Sequence, residues 1–193
     1  FMQEACEAVA SGMVAPIGLD RAKVEAAADF GRQFGRVNVA NYNAPGQLVI
    51  AGSRAAVERA MVAAKARGAR RAVLLPVSAP FHSSLLKPAA ERLAQRLEGI
   101  AFATPTIPVV HNVDVATHDT PEAMRSALAR QAASPVRWTQ TIQSFAASGV
   151  TLTSETASAV ASAVTSAPDR ALHAHRTNRK AAVILSISPP SGQ

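Results

Sequence analysis

The alternation of strand and helix signals in residues 12–78 constrains the fold of this chain more than any other feature. The order is β-α-β-β-α-β: strands are predicted over residues 13–19, 37–42, 47–51 and 71–78, and helices follow Asp20 and Ser53. Asp and Ser are favoured N-caps, and glycine commonly ends a helix. This succession is typical of the split βαβ, or ferredoxin-like, arrangement, in which two helices cover one face of an antiparallel sheet. We therefore predict a ferredoxin-like subdomain over residues 12–78.

Helical spacing of apolar residues indicates which side of each helix packs on that sheet. In the first helix, through about Phe30, these residues are Val24, Ala27 and Ala28, with Phe34 as a further candidate. In the second they are Val57, Ala60, Met61 and Ala64.

Residues 79–150 continue with helical and strand signals of a different arrangement. We predict helices over residues 84–98, 121–131 and 139–147, and a buried strand over 107–115. These elements do not close a core of their own. We expect them, with a helix in residues 1–11, to complete a larger α/β domain whose earlier strands lie upstream of this sequence.

Composition limits the setting and the partners. No apolar run approaches the roughly 20 residues that a spanning helix requires, and Cys6 is the single cysteine, so we expect a cytoplasmic protein without disulfides. The net charge of +7 favours an acidic partner. Residues 151–193 are rich in Ser, Thr, Ala and Arg, a composition that predicts a divergent, poorly ordered tail.

His82 is the first candidate for chemistry, because it lies between a predicted strand and a predicted helix. An imidazole can take a proton from a hydroxyl or thiol and return it, since its ordinary pKa is near neutrality. From spacing alone two interpretations stand: a general base, or an ordinary histidine of a surface loop.

A nucleophile for such a base is absent from the sequence. Gly31 and Gly35 are the only glycines four residues apart, and Gln33 lies between them, so there is no Gly-x-Ser-x-Gly turn. We interpret Cys6 as a small core residue.

Five segments, in this order, resemble one family. They are residues 1–5 (FMQEA), 41–52 (NYNAPGQLVIAG), 81–88 (FHSSLLKP), 110–114 (VHNVD) and 135–138 (PVRW). Together they are similar to the malonyl-CoA:acyl carrier protein transacylases of fatty acid synthesis, also found as acyltransferase domains of polyketide synthases. The resemblance covers about residues 1–150.

The resemblance implies a fold, a reaction and a set of partners. The fold would be the later part of an α/β-hydrolase-like acyltransferase domain together with its ferredoxin-like subdomain. Malonyl would pass from coenzyme A, through an acyl-serine, to the phosphopantetheine thiol of an acidic acyl carrier protein, with no cofactor. His82 would be the catalytic base, and the serine would precede Phe1, so we expect the isolated chain to be inactive.

Three further residues are candidates for substrate contact. Asn41 and Asn43 alternate on a predicted strand and could both face a cleft, or Asn43 could simply serve the following turn. By the resemblance, Phe81 would crowd a 2-methyl branch and select malonyl; the alternative is ordinary packing.

A basic group and a histidine pair allow competing interpretations. Lys65, Arg67, Arg70 and Arg71 cluster at a helix C-terminus, where the helix dipole favours cations, or they could dock the acidic carrier protein. His173 and His175 make a poor metal site, and we predict no metal. A ferredoxin-like module for interaction or RNA binding is the alternative function, although the paired sheet aromatics of RNA-binding modules are missing.

Overall fold

The computed structural model describes residues 10–77 and 79–150, which form an α+β structure. The first part contains β1 (Ser11–Ile17), α1 (Arg21–Gly31), β2 (Val37–Ala44), β3 (Gln47–Ser53), α2 (Arg54–Ala66) and β4 (Arg71–Leu74). The second contains α3 (Lys87–Glu98), β5 (Val110–His111), β6 (Ala116–Thr117), α4 (Pro121–Ala133) and α5 (Trp138–Ala147). Our expectations for residues 1–9 and 151–193, including Cys6, His173 and His175, lie outside the described residues.

The four strands of the first part form one sheet. Its strand order is β2-β3-β1-β4, and every neighbouring pair is antiparallel. Val14 of the central strand β1 lies opposite Ile50 on one side and Leu74 on the other. The element order β-α-β-β-α-β and the antiparallel pairing agree with the prediction from the sequence.

Helices α1 and α2 cover one face of this sheet and form the main core with it. Val24 and Ala28 of α1 and Val57 and Ala60 of α2 are fully buried together with Ile50 of β3. The predicted inner sides of both helices are therefore confirmed, with Met61 partly buried at their margin.

Phe34 is the exception, because it is 43% exposed. It follows α1 in a 3-10 turn, where its ring lies 5.6 Å from that of Phe30 and is covered by the Arg59 guanidinium at 5.0 Å. The helical period that put Phe34 on the buried side does not continue past Gly31.

The helices predicted to start after Asp20, after Ser53 and at residue 121 do so in the structure, although one cap differs in its hydrogen bonding. The Asp20 carboxylate accepts from the Lys23 N–H at 2.8 Å, and the Thr120 hydroxyl accepts from the Ala123 N–H at 3.3 Å. Ser53 is the N-cap of α2, but its buried hydroxyl has no hydrogen-bond partner among the described residues.

Three predicted boundaries were wrong, and two of them involve proline. Strand β4 ends at Leu74 rather than residue 78, since Pro76 has no N–H to continue the ladder. The predicted strand over residues 107–115 is reduced to the two residues of β5, and Ile107 is 40% exposed beside Pro108. Helix α3 begins at Lys87, after a 3-10 turn over Ser84–Leu86.

The second part of the chain has small apolar clusters instead of one large core. Ala79, Leu86 and Ala89 form one cluster, and Val110, Ile142 and Phe145 form another. The sheet face opposite the helices is also covered, by a cluster that we call the second-face cluster: Met13, Ala40, Val49 and Ala51, with Ala15, Leu75, Val77 and Phe81 packed on it. Both faces of the sheet are therefore buried.

Among the described residues, no helix combines the length and the apolar character that crossing a bilayer requires.

Two glycines that face each other across β1 and β3 should respond differently to the same substitution. A Cβ at Gly52 would collide with backbone atoms of Arg36 and Val37, whereas at Gly12 its nearest neighbours are side-chain atoms at 3.7 Å. Crowding of this kind costs roughly 1–3 kcal/mol. We expect Gly52→Ala to lower the free energy of unfolding in urea by about that amount, and Gly12→Ala to leave it nearly unchanged. Equal effects of the two substitutions would contradict this account of the β2–β3 contact.

Candidate active site

His82 lies in the turn that precedes the Ser84–Leu86 3-10 turn, and its side chain is enclosed. The residue is only 9% exposed, so its interpretation as an ordinary surface histidine is wrong. Its backbone has a φ of +56°, in the left-handed region that residues other than glycine seldom adopt. Such outliers persist only where the surrounding structure holds them in place, and they cluster at functional sites.

One hydrogen bond fixes the protonation pattern of the His82 ring. Nδ1 lies 3.0 Å from the backbone carbonyl oxygen of Gln131, in the last turn of α4. A carbonyl oxygen can only accept, so Nδ1 carries the proton and donates it. In the neutral ring Nε2 is then the nitrogen with the free lone pair, which is the form that a general base requires.

The surroundings keep the His82 ring neutral. Burial lowers its pKa, while hydrogen bonding to the backbone of Gln131 and Ser134 raises it to a lesser extent. The net shift is downward, so at neutral pH the imidazole is predominantly unprotonated at Nε2.

Two residues that the sequence did not single out support the histidine. The Gln131 side-chain amide donates to the carbonyls of Ser134 at 3.2 Å and Pro135 at 3.5 Å. The Asn38 Oδ1 atom accepts from the Ser84 N–H at 3.2 Å. The signal for Asn38 was its position as a lone amide between two buried valines of a strand; Gln131 had no comparable signal.

Phe81 joins two apolar clusters next to His82. It packs on the Ala79–Leu86–Ala89 cluster and on the second-face cluster that includes Ala40 and Val49. It is only partly buried. The ring is therefore a packing element whose remaining surface is open to another group.

Asn41 and Asn43 both lie in β2 and are both partly buried. Asn41 lies opposite Val49, a member of the second-face cluster on which Phe81 packs. Asn43 lies inside the strand, since the turn itself is at Pro45–Gly46. Among the described residues, neither side-chain amide has a hydrogen-bond partner, so both are available for one.

The four basic residues of the predicted docking surface are all exposed. The Arg67 guanidinium donates to the Ala63 carbonyl at 3.0 Å, a carbonyl that also accepts from the Arg67 N–H at 3.1 Å. Lys65, Arg70 and Arg71 make no ion pair with any carboxylate of the described residues.

A second polar cluster surrounds Asp114. Its Oδ2 atom is 3.0 Å from His118 Nε2 and 2.7 Å from an Arg130 nitrogen, and the His118 ring lies 5.0 Å from that of His111. These partners hold the pKa of Asp114 below its usual value although burial opposes them, and burial lowers the pKa of His111. Within residues 10–77 and 79–150, no three His, Cys, Asp or Glu side chains are placed to hold a metal ion.

One cleft in the described structure, of about 280 Å³, opens beside β2. It is lined by Glu25, Asp29, Arg32, Asn38, Val39, Tyr42 and Pro135. Neither His82 nor Phe81 lines it. The sequence-predicted site residues therefore do not form this cleft.

Comparison with known proteins identifies a family and relatives within it. The acyl transferase domain family matches residues 3–188, and so continues past Val150, where we expected the resemblance to end. Two curated relatives are malonyl CoA-acyl carrier protein transacylases: that of Salmonella typhimurium, 50% identical over 150 residues (78% of this chain, 48% of the relative), and that of Bacillus subtilis, 40% identical over 152 residues (78% and 48%). The chain thus spans about half the length of these relatives.

Solved structures agree with the sequence relatives. An acyl carrier protein S-malonyltransferase from Vibrio cholerae has a TM-score of 0.80 and 41% identity, covering 85% of this chain and 56% of that one. A malonyl-transacylase solved in complex with its type II polyketide acyl-carrier protein has a TM-score of 0.79 and 43% identity, covering 85% and 55%. From the family match, the identities and the shared fold, this chain belongs to the acyl transferase domain family.

Proposed function

We propose that this chain takes part in transferring a malonyl group from coenzyme A to the phosphopantetheine thiol of an acyl carrier protein, in fatty acid synthesis. The observation that carries the proposal is the buried His82, whose Nδ1–H is held by the Gln131 carbonyl while Nε2 stays free. Its setting is a chain whose curated relatives are malonyl CoA-acyl carrier protein transacylases.

In the proposed reaction His82 Nε2 moves one proton in each half. A serine hydroxyl gives its proton to Nε2 while its oxygen attacks the malonyl thioester, and the coenzyme A sulfur leaves with that proton. In the second half the carrier thiol gives its proton to Nε2 and its sulfur attacks the acyl-serine ester, and the serine oxygen regains the proton. The net change is thioester exchange, which consumes no cofactor and needs no metal.

We propose that the serine comes from outside residues 1–193, because these residues contain no Gly-x-Ser-x-Gly turn. In the absence of a partner segment that bears it we expect no transfer. The experiment on the proposal therefore has to supply that segment.

Asn41, Asn43 and Phe81 are the proposed substrate contacts. The two amides have unused hydrogen-bonding groups, and Asn41 belongs by its register to the sheet face on which Phe81 packs. A malonyl thioester offers carbonyl and carboxylate oxygens to such donors. The open edge of the Phe81 ring would then limit the space for a branch at the acyl carbon.

The alternative function, RNA binding or another non-catalytic role, is not favoured. Modules of this architecture that bind RNA stack bases on an open sheet face. Here that face is buried beneath Leu75, Val77 and Phe81.

A cytoplasmic location stays a prediction.

The proposal predicts that activity depends on His82 and on an added partner segment. We would mix this chain with malonyl-CoA and a purified N-terminal half of a relative that bears the serine turn, and follow intact masses. A malonyl adduct on the added half should form only when both pieces are present. His82→Ala should slow its formation by about 10²- to 10⁴-fold, the usual contribution of a general base.

His118→Ala is the matched control, because it removes an imidazole of the Asp114 cluster that has no part in the proposed reaction. It should leave the rate of adduct formation close to that of the unsubstituted chain. Adduct formation at an undiminished rate with His82→Ala would refute the assignment of the base.

The lowered pKa values of His82 and His111 predict a pH dependence of stability. Each folded ring binds protons less readily than in the unfolded chain, whose histidines titrate near 6.5. The free energy of unfolding should therefore fall as the pH is lowered from about 7.5 to about 5.5. Urea titrations at these pH values would measure the fall, and His82→Gln should reduce it. A free energy of unfolding that rises on acidification in this window would contradict the shifts.

We also propose that the exposed basic residues around Lys65 dock the acidic carrier protein. Charge reversal at Lys65 should then weaken carrier-protein binding, whereas charge reversal at Arg96 should not. Lys65 and Arg96 both lie in the last turn of a helix, so Lys65→Glu and Arg96→Glu lose the same favourable dipole interaction. Only Lys65→Glu should weaken binding of an acidic carrier protein in titration calorimetry, by about fivefold, which corresponds to roughly 1 kcal/mol. The difference should shrink as salt is added; equal affinities of the two variants would argue against this surface.

A further inference from the structure

Asn38 connects the sheet to the turn that carries His82. It lies in β2, opposite Ala51 of β3, and is partly buried. Its side-chain oxygen accepts a hydrogen bond from the backbone N–H of Ser84, a residue 46 positions later in the chain. A single amide thus bridges two elements that nothing in local sequence brings together.

The Ser84 N–H is a backbone donor that needs a partner from outside its own helix. Ser84 begins the 3-10 turn that leads into α3, and the first N–H groups of a helix have no acceptor within it. The neighbouring Ser83 hydroxyl accepts from the Leu85 N–H at 3.4 Å and donates to the Pro80 carbonyl at 2.7 Å. The N–H groups of Ser84 and Leu85 at this helix start therefore have the Asn38 and Ser83 side chains as their acceptors.

The same turn holds the left-handed backbone of His82, two residues before Ser84. A residue other than glycine in that region is strained and persists only where the surrounding structure holds it. The Pro80 carbonyl bound by Ser83 lies on one side of His82, and the Ser84 N–H bound by Asn38 lies on the other. The contact with Asn38 is the one that comes from the rigid sheet.

Strand β2 also fixes the partner of the His82 ring. The Ala40 carbonyl accepts from the Val136 N–H at 2.8 Å, and the Tyr42 N–H donates to the Val136 carbonyl at 2.9 Å. This pairing holds the segment to which the Gln131 side chain is bonded. Strand β2 therefore holds both partners of this hydrogen bond. It binds the His82 turn through Asn38 and the segment after Gln131 through Val136.

We propose that Asn38 is a positioning residue for His82. By holding the Ser84 N–H it maintains the turn in which Nδ1–H reaches the Gln131 carbonyl and Nε2 stays free. Asn38 itself does not touch the reacting atoms. The effect on transfer rests on the proposed function, whereas the effect on the His82 ring does not.

The test reads the imidazole directly in this chain, by ¹⁵N NMR of its ring nitrogens. The His82 signals are assigned by their loss in His82→Gln. The unsubstituted chain should show a protonated Nδ1 and an unprotonated Nε2. Asn38→Leu keeps the branched shape but removes the acceptor, and should shift both signals toward the average of the two tautomers. Asn38→Asp keeps an acceptor oxygen and should retain the original tautomer.

Asp20→Ala is the matched control, because it also removes one side-chain acceptor from a helix N-terminal N–H, that of Lys23 in α1. It should leave the His82 signals in place. Unchanged His82 signals in Asn38→Leu, or equal changes in Asn38→Leu and Asp20→Ala, would overturn the proposal. If Asn38→Leu does not fold, Asn38→Ala carries the same comparison.

A second readout separates this proposal from the proposed function. In the complementation reaction with the added N-terminal half, Asn38→Leu should lower the rate of malonyl adduct formation by about 10- to 100-fold, and Asn38→Asp much less. If the unsubstituted chain forms no adduct, the proposed function fails while the NMR comparison still decides the role of Asn38. A full adduct rate in Asn38→Leu would overturn the positioning role.

Discussion

The pairing of Val136 with the outer edge of β2 is the interaction on which the rest of the candidate site depends. An edge strand presents unpaired N–H and C=O groups, and here the Ala40 carbonyl and the Tyr42 N–H are both used by Val136. The pairing covers part of the sheet edge and attaches the segment after α4 to the four-stranded sheet. Because the Gln131 carbonyl lies in that last turn of α4, this attachment brings the acceptor to His82.

Two energetically unfavourable features of His82 both favour a neutral ring with a fixed orientation. Its backbone is held in the left-handed region, and its ring is buried at a cost to the charged form. A carboxylate partner would stabilise the imidazolium and raise the pKa, whereas a carbonyl fixes the tautomer with a smaller effect on charge. The arrangement therefore yields a neutral, oriented imidazole, and its cost is borne by the surrounding hydrogen bonds of Ser83, Ser84 and Asn38.

The sequence predicted local features well and long-range ones poorly, for physical reasons. Helix starts at Asp20 and Thr120 and the inner faces of α1 and α2 follow from capping and periodicity, which act within a few residues. His82 stood out through its place between two elements and its resemblance to a family. The Gln131 and Asn38 contacts span 49 and 46 residues, so no local pattern could reveal them. The strand around β5 was predicted too long, because the apolar content of residues 107–115 outweighed the proline beside Ile107.

A β-bulge in β2 explains how this strand places Asn38, which binds the His82 turn, and Asn41, whose amide has no partner among the described residues, on the same face. In a regular strand, residues three apart point to opposite faces. In β2 the register shifts between Val39 and Asn41, so that Asn38 lies opposite Ala51 and Asn41 opposite Val49, two residues of the second-face cluster. The extra residue thus turns Asn41 to the side that Asn38 already occupies. The alternation of Asn41 and Asn43 in the sequence indicated a polar face, but only the bulge adds Asn38 to it and so joins that face to the His82 turn.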